Sequence, residues 1–74
     1  MTYEVLVTCN DGKRNYAIKR LKEFQDIKNI QQRKNPNEVL AKVESNDKNY
    51  VMTNIVQRIQ DIDGISGTSV LPFV

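Results

Sequence analysis

Histidine and cysteine, two of the residue types that most often act in catalysis or bind metals, are nearly absent from this chain of 74 residues. It contains no histidine and no tryptophan, and Cys9 is its only cysteine. The lack of histidine excludes imidazole bases, most transition-metal sites and the Ser-His and Cys-His arrangements of nucleophilic catalysis. Cys9 lies on the apolar side of a β-branched stretch, which indicates a buried structural thiol. We therefore predict no catalytic residues, no metal and no cofactor.

Positive charge is concentrated in residues 13–34. This segment contains eight lysines and arginines against Glu23 and Asp26, a net charge of +6, whereas the whole chain carries only +2. Such a separation of charge could steer an anionic partner towards the segment. A solvated helix surface explains the same charges, and we favour that interpretation.

Length and hydropathy restrict the class of protein. A chain this short forms one domain, here residues 1–74, and buries only about 60% of the surface that its unfolded form exposes, so association is a natural source of extra stability. No apolar run approaches the roughly 18 residues that span a bilayer, and no signal peptide is recognisable. We expect a soluble cytoplasmic protein that does not bind membranes.

The first half of the chain leads to a polar turn at residues 35–38. We predict a strand over residues 3–9, a helix over 13–25 capped by Asn10 or Asp11, and a weak edge strand over 26–34. At the turn, Pro36 fixes φ near about −65°. The asparagines on either side of it tolerate left-handed backbone or close the turn by side-chain hydrogen bonds.

The second half repeats the order strand, helix, strand. The third strand covers residues 39–44, and Ser45, Asn46 or Asp47 can cap the helix that follows. The apolar stripe of this helix is Val51, Ile55, Ile59 and Ile62, widened by Met52 and Val56, and the helix ends at Asp63-Gly64. The last strand, residues 65–74, has Leu71 and Phe73 on one face and Val70, Pro72 and Val74 on the other.

This order predicts an α+β fold of the ferredoxin-like βαββαβ type. Its antiparallel sheet would have the strand order 4-1-3-2, with both helices on one face. Pro72 is then acceptable because it lies on an edge strand. The other face carries Leu6, Leu40 and part of the last strand, and a single chain leaves it uncovered. We predict a homodimer that packs these faces together, with Leu6 and Leu40 in the interface.

Two stretches of the sequence carry a family resemblance. One is Val39-Leu40-Ala41-Lys42-Val43-Glu44 followed by a capped amphipathic helix, and the other is Ile62-Asp63-Gly64-Ile65-Ser66-Gly67-Thr68. Both resemble the effector-binding (RAM) domain of the Lrp/AsnC transcription regulators, and the resemblance covers nearly the whole chain. It implies a stand-alone RAM domain without a DNA-binding domain. It also implies face-to-face dimers, higher ring oligomers and small amino-acid effectors bound between dimers.

The same resemblance assigns an effector site to the turn before the third strand and to the start of the fourth strand. The matching positions in this chain are Asn35, Asn37, Glu38 and Thr68. Asn35 stands where the family has glycine, and Val70 stands in place of a second threonine. In this assignment Glu38 accepts an ammonium group, while turn amides and the Thr68 hydroxyl hold a carboxylate.

Other functions of ferredoxin-like domains fit the sequence less well. An acylphosphatase-like enzyme needs a glycine-rich anion loop with an adjacent arginine, and metal carriers need a C-x-x-C motif. An RNA-recognition module needs aromatic residues in its central strands, where only Tyr3 is present. We predict a non-enzymatic effector-binding and oligomerisation module linked to transcription regulation, without specific nucleic-acid binding of its own. The alternatives are an interaction module that co-assembles with a full-length regulator without a ligand, and an ACT-like regulatory domain.

Overall fold

The computed structural model of the protein describes residues 2–72, in which strands and helices follow one another in the predicted βαββαβ order. The elements of the first half are β1 (Thr2–Cys9), α1 (Arg14–Leu21) and β2 (Ile27–Gln32). Those of the second half are β3 (Glu38–Glu44), α2 (residues 48–60) and β4 (Ile65–Pro72). The predictions for the side chains of Phe73 and Val74 lie outside the described residues.

The four strands form one antiparallel sheet in the order β2-β3-β1-β4. This is the predicted order 4-1-3-2 read from the opposite edge, so the ferredoxin-like α+β fold is confirmed. In the register of the sheet, Leu6 of the central strand β1 lies opposite Leu40 of β3 on one side and Ser69 of β4 on the other. Both β2 and β4 lie at edges of the sheet.

One face of the sheet packs on the helices and is called here the helix face. The period-two alternation of β1 determines which of its residues lie on this face. Successive side chains of a strand point to opposite faces, and every second residue of β1 is buried. Alternate residues of β3, the apolar sides of both helices and the residues just after each helix complete the core. Its members are Tyr3, Val5, Val7, Cys9, Ala17, Leu21, Phe24, Val39, Ala41, Val43, Val51, Ile55, Ile59 and Ile62. Each fully buried aliphatic side chain contributes about 1.5–3 kcal/mol.

Helix α1 is shorter than predicted and has a different start. Lys13 occupies the N-cap position of this helix, and no side chain makes a capping hydrogen bond there. The prediction that Asn10 or Asp11 caps this helix is therefore wrong. The Asp11 carboxylate is committed elsewhere, because it accepts a hydrogen bond from the Asn37 side-chain amide. Asn10 lies three residues before the N-cap position, and its main-chain carbonyl accepts from the Lys13 N–H at 3.0 Å.

Helix α2 begins at a predicted cap, because the Asp47 carboxylate accepts a hydrogen bond from the Tyr50 N–H at 3.1 Å. It has three consecutive segments, in which Lys48–Tyr50 and Val56–Gln60 are α-helical and Val51–Ile55 is π-helical. The side chain of Thr53 donates to the Asn49 carbonyl at 2.7 Å, a local bond that competes with the regular backbone pattern.

The π-helical segment keeps the apolar stripe of α2 pointing at the core. Val51, Ile55 and Ile59 are spaced by four residues, and on an α-helix two such steps rotate the stripe by about 80°. A π turn takes up more residues and reduces this rotation. All three residues are fully buried, as predicted. Met52 is 43% exposed, so the prediction that it widens the buried stripe is wrong.

Candidate ligand site at the loop end of the sheet

The predicted effector turn connects β2 to β3 and is closed by its own hydrogen bonds. The Asn35 side-chain oxygen accepts from the Asn37 N–H at 2.9 Å, and the Asn35 carbonyl accepts from the Glu38 N–H at 3.1 Å. Between residues 2 and 72 no residue other than glycine has a positive φ. Of the two predicted ways to close this turn, the asparagines therefore use side-chain hydrogen bonding and not left-handed backbone.

Arg14, the first residue of α1, holds this turn from the opposite side. Its Nη1 atom donates to the carbonyl oxygens of Arg33 at 3.3 Å and Asn35 at 3.2 Å, and its Nη2 atom donates to Gln32 Oε1 at 2.8 Å. This role of Arg14 was not predicted from the sequence. The available signal was a basic residue in the first turn of a helix, where the helix dipole disfavours positive charge and a tertiary partner is needed.

Two further bonds attach the loop after β1 to the same turn. The Asn37 side-chain amide donates to Asp11 Oδ1 at 2.8 Å, and the Cys9 N–H donates to the Asn37 carbonyl at 2.7 Å. Gly12 permits this loop because its φ of +76° is a conformation that other residues rarely adopt. The loop before α1 and the turn before β3 thus form one connected structure.

A small depression lies between this loop and this turn. It has a volume of about 200 Å³ and is lined by Gly12, Arg14, Asn15, Pro36 and Asn37. That volume is below the range of about 300–1,000 Å³ that is typical of sites for drug-sized molecules, so the depression suits only a small ligand.

The electrostatic character of the depression comes from Arg14. A guanidinium group has five N–H donors, and three hydrogen bonds from Arg14 to neutral oxygen atoms are present. No ion pair among residues 2–72 involves Arg14. A positioned cation with uncommitted donors, beside a small depression, is suited to bind a carboxylate.

Cys9 lies close to Arg14 but is not part of this chemistry. Its side chain is buried, and burial raises the pKa of the Cys9 thiol, while the positive charge of Arg14 acts in the opposite direction and is the smaller effect. A thiol that is buried and has a raised pKa is a poor nucleophile. Cys9 is therefore a packing residue, as the sequence indicates.

Glu38 points away from the helices. It lies opposite Thr8 of β1, on the face of the sheet that carries no helix, called here the open face. Its Oε1 atom is 3.4 Å from Arg33 Nε in an ion pair. An ammonium group that binds Glu38 would have to compete with Arg33.

Thr68 lies on the helix face of β4, opposite the buried Val7 of β1. Its hydroxyl oxygen accepts a hydrogen bond from Gln60 Nε2 of α2 at 2.7 Å. Glu38 and Thr68 are on opposite faces of the sheet, and β1 separates their strands, a distance of about 10 Å between backbones. One chain brings Asn35, Asn37 and Glu38 together and leaves Thr68 apart, and their binding roles stay predictions.

The two leucines predicted for the dimer interface, Leu6 and Leu40, lie side by side on the open face. Leu6 is half-buried, and Leu40 is only 6% exposed although it lies outside the core cluster. Leu71 of β4 is 45% exposed on the same face, opposite Glu4. The expectation that a single chain leaves Leu40 bare is therefore wrong, because its neighbours within the chain already cover it.

Metal sites and membrane-spanning helices are not found in the described part of the chain. Between residues 2 and 72, no group of three or more cysteine and acidic side chains could hold a metal ion. None of the helices in this range has the length and apolar character needed to cross a membrane.

Solved structures share this fold along nearly the whole chain. TTHA0845 from Thermus thermophilus aligns with a TM-score of 0.83 and 18% identity, covering 95% of this chain and 88% of that chain. FFRP-DM1, an Lrp/AsnC-family protein, aligns with a TM-score of 0.80 and 18% identity, covering 96% of each chain. The hypothetical protein PHS023 from Pyrococcus horikoshii gives 0.78 and 18%, covering 96% and 87%.

The chain has the fold of these proteins. This confirms the fold that the resemblance to the RAM domain implied. No protein-family model matches the sequence, and no curated protein does. Structural likeness at 18% identity establishes the fold.

Proposed function

We propose that this protein is a non-enzymatic regulatory module that binds a small amino acid in the depression at the loop end of its sheet. The observation that carries the proposal is Arg14, a positioned cation without an ion-pair partner among residues 2–72, beside a depression of about 200 Å³. The fold shared with FFRP-DM1 supports a regulatory role.

In this proposal the two charges of the amino acid bind to different side chains. Arg14 donates two hydrogen bonds to the carboxylate through its uncommitted N–H groups. Asp11 accepts the ammonium group, because its carboxylate is bonded to the side-chain amide of Asn37, a residue that lines the depression. Glu38 and Thr68, predicted from the family resemblance, would contribute only if a second chain brought them to the same ligand.

The first experiment is a thermal-shift screen against the amino acids, followed by calorimetry with each compound that raises Tm. A ligand present at 100 times its Kd adds about 2.7 kcal/mol to the free energy of unfolding, which such a screen detects. If no amino acid raises Tm, the proposal fails.

Variants then locate the ligand. Arg14→Gln should weaken binding by about one to two orders of magnitude, the usual effect of losing a charge-assisted hydrogen bond. Arg20→Gln is the matched control, because Arg20 lies on the same helix and contacts Tyr16 and Glu23 instead. Unchanged affinity in Arg14→Gln would exclude the depression as the site.

A pair of isosteric variants identifies the acid that binds the ammonium group. Asp11→Asn keeps an oxygen that can accept from Asn37 and removes the charge, so we expect it to weaken binding by about tenfold. Glu38→Gln should have little effect when one chain forms the site. The opposite result would support the family-derived assignment of Glu38 together with Thr68.

The same proposal includes association through the open faces of two chains. Leu6, Leu40 and Leu71 are the leucines of this face, and Leu71 is the most exposed of the three, so association would bury most surface there. Leu6 and Leu40 lie next to each other. A stable interface of this kind should bury at least about 1,200 Å² in total. Light scattering at micromolar concentration that gave the mass of one chain would contradict this part. Co-assembly with a full-length regulator would use the same face and would then be tested by mixing the two proteins.

A further inference from the structure

The outer edge of β2 is free to pair with another strand. Among residues 2–72, β2 pairs only with β3. The Arg33 N–H donates to the Glu38 carbonyl, and in an antiparallel pair the main-chain groups of alternate residues point to opposite sides. The main-chain groups of Ile30 and Gln32 therefore point outward, away from β3.

A second depression lies beside this edge. It has a volume of about 230 Å³ and is lined by Lys22, Ile27, Lys28, Asn29 and Ile30. Ile27 and Ile30 are half-buried and pack against the core, so they offer an apolar surface within the depression. Lys22 and Lys28 are exposed and supply positive charge at its rim.

No ion pair joins these two lysines to the acidic residues of the same segment. Glu23 pairs with Arg20 at 3.7 Å, and Asp26 accepts a hydrogen bond from the Tyr50 hydroxyl at 3.1 Å. Within residues 2–72 no ion pair includes Lys22 or Lys28. The Lys28 ammonium donates to a main-chain oxygen, that of Gln25, at 3.0 Å.

We propose that the outer edge of β2 binds an extended, acidic segment of a partner polypeptide, which adds to the sheet as a fifth strand. Main-chain hydrogen bonds to Ile30 and Gln32 provide affinity, and an apolar side chain of the partner occupies the depression. Acidic side chains two positions before and after it, on the same face of the added strand, lie near Lys22 and Lys28.

The charge of this edge explains why the partner is acidic. Lysines on an edge strand discourage pairing with other strands, and here they repel basic strands while they attract acidic ones. A nucleic-acid backbone would satisfy the lysines, but it has no group that fits the apolar floor or pairs with a strand edge. This site is separate from the amino-acid depression, which Arg14 and Asn37 line.

The direct test uses a synthetic probe and measures its fluorescence anisotropy at physiological ionic strength. The probe is a capped, labelled octapeptide, Thr-Glu-Thr-Val-Thr-Glu-Thr-Thr, whose central valine shares one strand face with the glutamates two positions before and after it. The matched peptides replace its glutamates by lysine or its central valine by proline. The proposal expects saturable binding of the glutamate peptide and weaker binding of both matched peptides. Equal binding of the lysine peptide would overturn it.

Charge reversal on the protein locates the site. Lys22→Glu and Lys28→Glu, as single variants, should each weaken binding of the glutamate peptide by about threefold or more. Lys13→Glu changes the net charge equally, but Lys13 lies beside Gly64, just before β4 at the opposite edge of the sheet, so its effect should stay below about twofold. Equal loss in all three variants would mean that only net charge matters, and would overturn the proposal.

A main-chain variant tests strand addition itself. Gln32→Pro removes an outward N–H without removing a donor to β3. Gln32→Ala is the control for the loss of the side chain and of its bond to Arg14, which both variants share. Binding should fall in the proline variant and persist in the alanine variant, with both checked for folding by circular dichroism. Equal binding in the two variants would overturn the strand-addition geometry. Two further results would overturn the proposal of an acidic peptide partner. One is displacement of the peptide by a short DNA duplex that binds more tightly. The other is a dimer of this protein that the Gln32→Pro substitution dissociates, because a second copy of the chain would then occupy the edge of β2.

Discussion

The two faces of the sheet come from alternating residues of the same strands, yet they differ in composition and packing. On the helix face, Val5, Val7 and Val39 are completely buried against the two helices. On the open face, Leu40 of β3 lies between the charged residues Glu38 and Lys42, and Glu4 of β1 lies directly opposite Lys42. The helix face thus supplies the apolar burial that folds one chain. The open face is polar enough to lie in water and apolar enough, through Leu71, to associate.

The strongest effect should come from a change in the core on the helix face. Leu21→Ala should lower the free energy of unfolding by about 2–5 kcal/mol, because it leaves a cavity where no surface is exposed. Leu71→Ala is the matched change on the open face and should cost less than about 1 kcal/mol when both proteins are compared as monomers. Urea denaturation measures both, and equal costs would refute the division between the faces.

The open face is tested next through association. Leu71→Lys should shift the protein to single chains in light scattering, because a charge would enter the proposed contact. Leu40→Lys should also reduce stability, since Leu40 is already covered within one chain. If both variants keep the mass of the unmodified protein, association uses another surface.

A smaller effect separates two neighbouring residues of β4 that lie on opposite faces. Thr68→Val removes the acceptor for Gln60 and should cost about 1 kcal/mol of unfolding free energy. Ser69→Val, on the open face, should not destabilise the monomer. Chemical denaturation of both variants measures the difference, and a result with the order reversed would mean that the Gln60 bond contributes nothing.

The weakest effect is a dependence of stability on alkaline pH. Burial raises the pKa of the Cys9 thiol in the folded protein, so the protonated thiol contributes stability that is fully present below about pH 8.5 and is lost as pH rises through the raised pKa. The Cys9→Ala variant should lack this loss.

Ionisation of the Tyr50 hydroxyl also lowers the free energy of unfolding, but it does so at higher pH than ionisation of the Cys9 thiol. Its hydrogen bond to Asp26 raises the pKa of Tyr50, and an ordinary tyrosine titrates near about pH 10. Stability measured between about pH 8.5 and 10 therefore isolates the thiol. Equal pH dependence of the unmodified protein and Cys9→Ala in this range would contradict the assignment.

Local patterns in the sequence specify which residues form each element and which face they occupy. The alternation along β1 separates Val5 from Leu6 because the side-chain period of a strand is two residues. Asp47 was identifiable as a cap because a cap bonds to residues only two or three positions away. The four-residue spacing of Val51, Ile55 and Ile59 indicated a buried stripe in the same way.

The tertiary structure sets every feature that joins residues far apart in the chain. Arg14 contacts Arg33 and Asn35, 19 and 21 residues away, and nothing near Arg14 in the sequence specifies those partners. The placement of Glu38 and Thr68 on opposite faces depends on the pairing register of β1 with both of its neighbours. A local pattern encodes the side of a strand on which a residue lies. Only the packing of the whole chain determines which other residue meets it there, and so the depression beside Arg14 is a property of the fold.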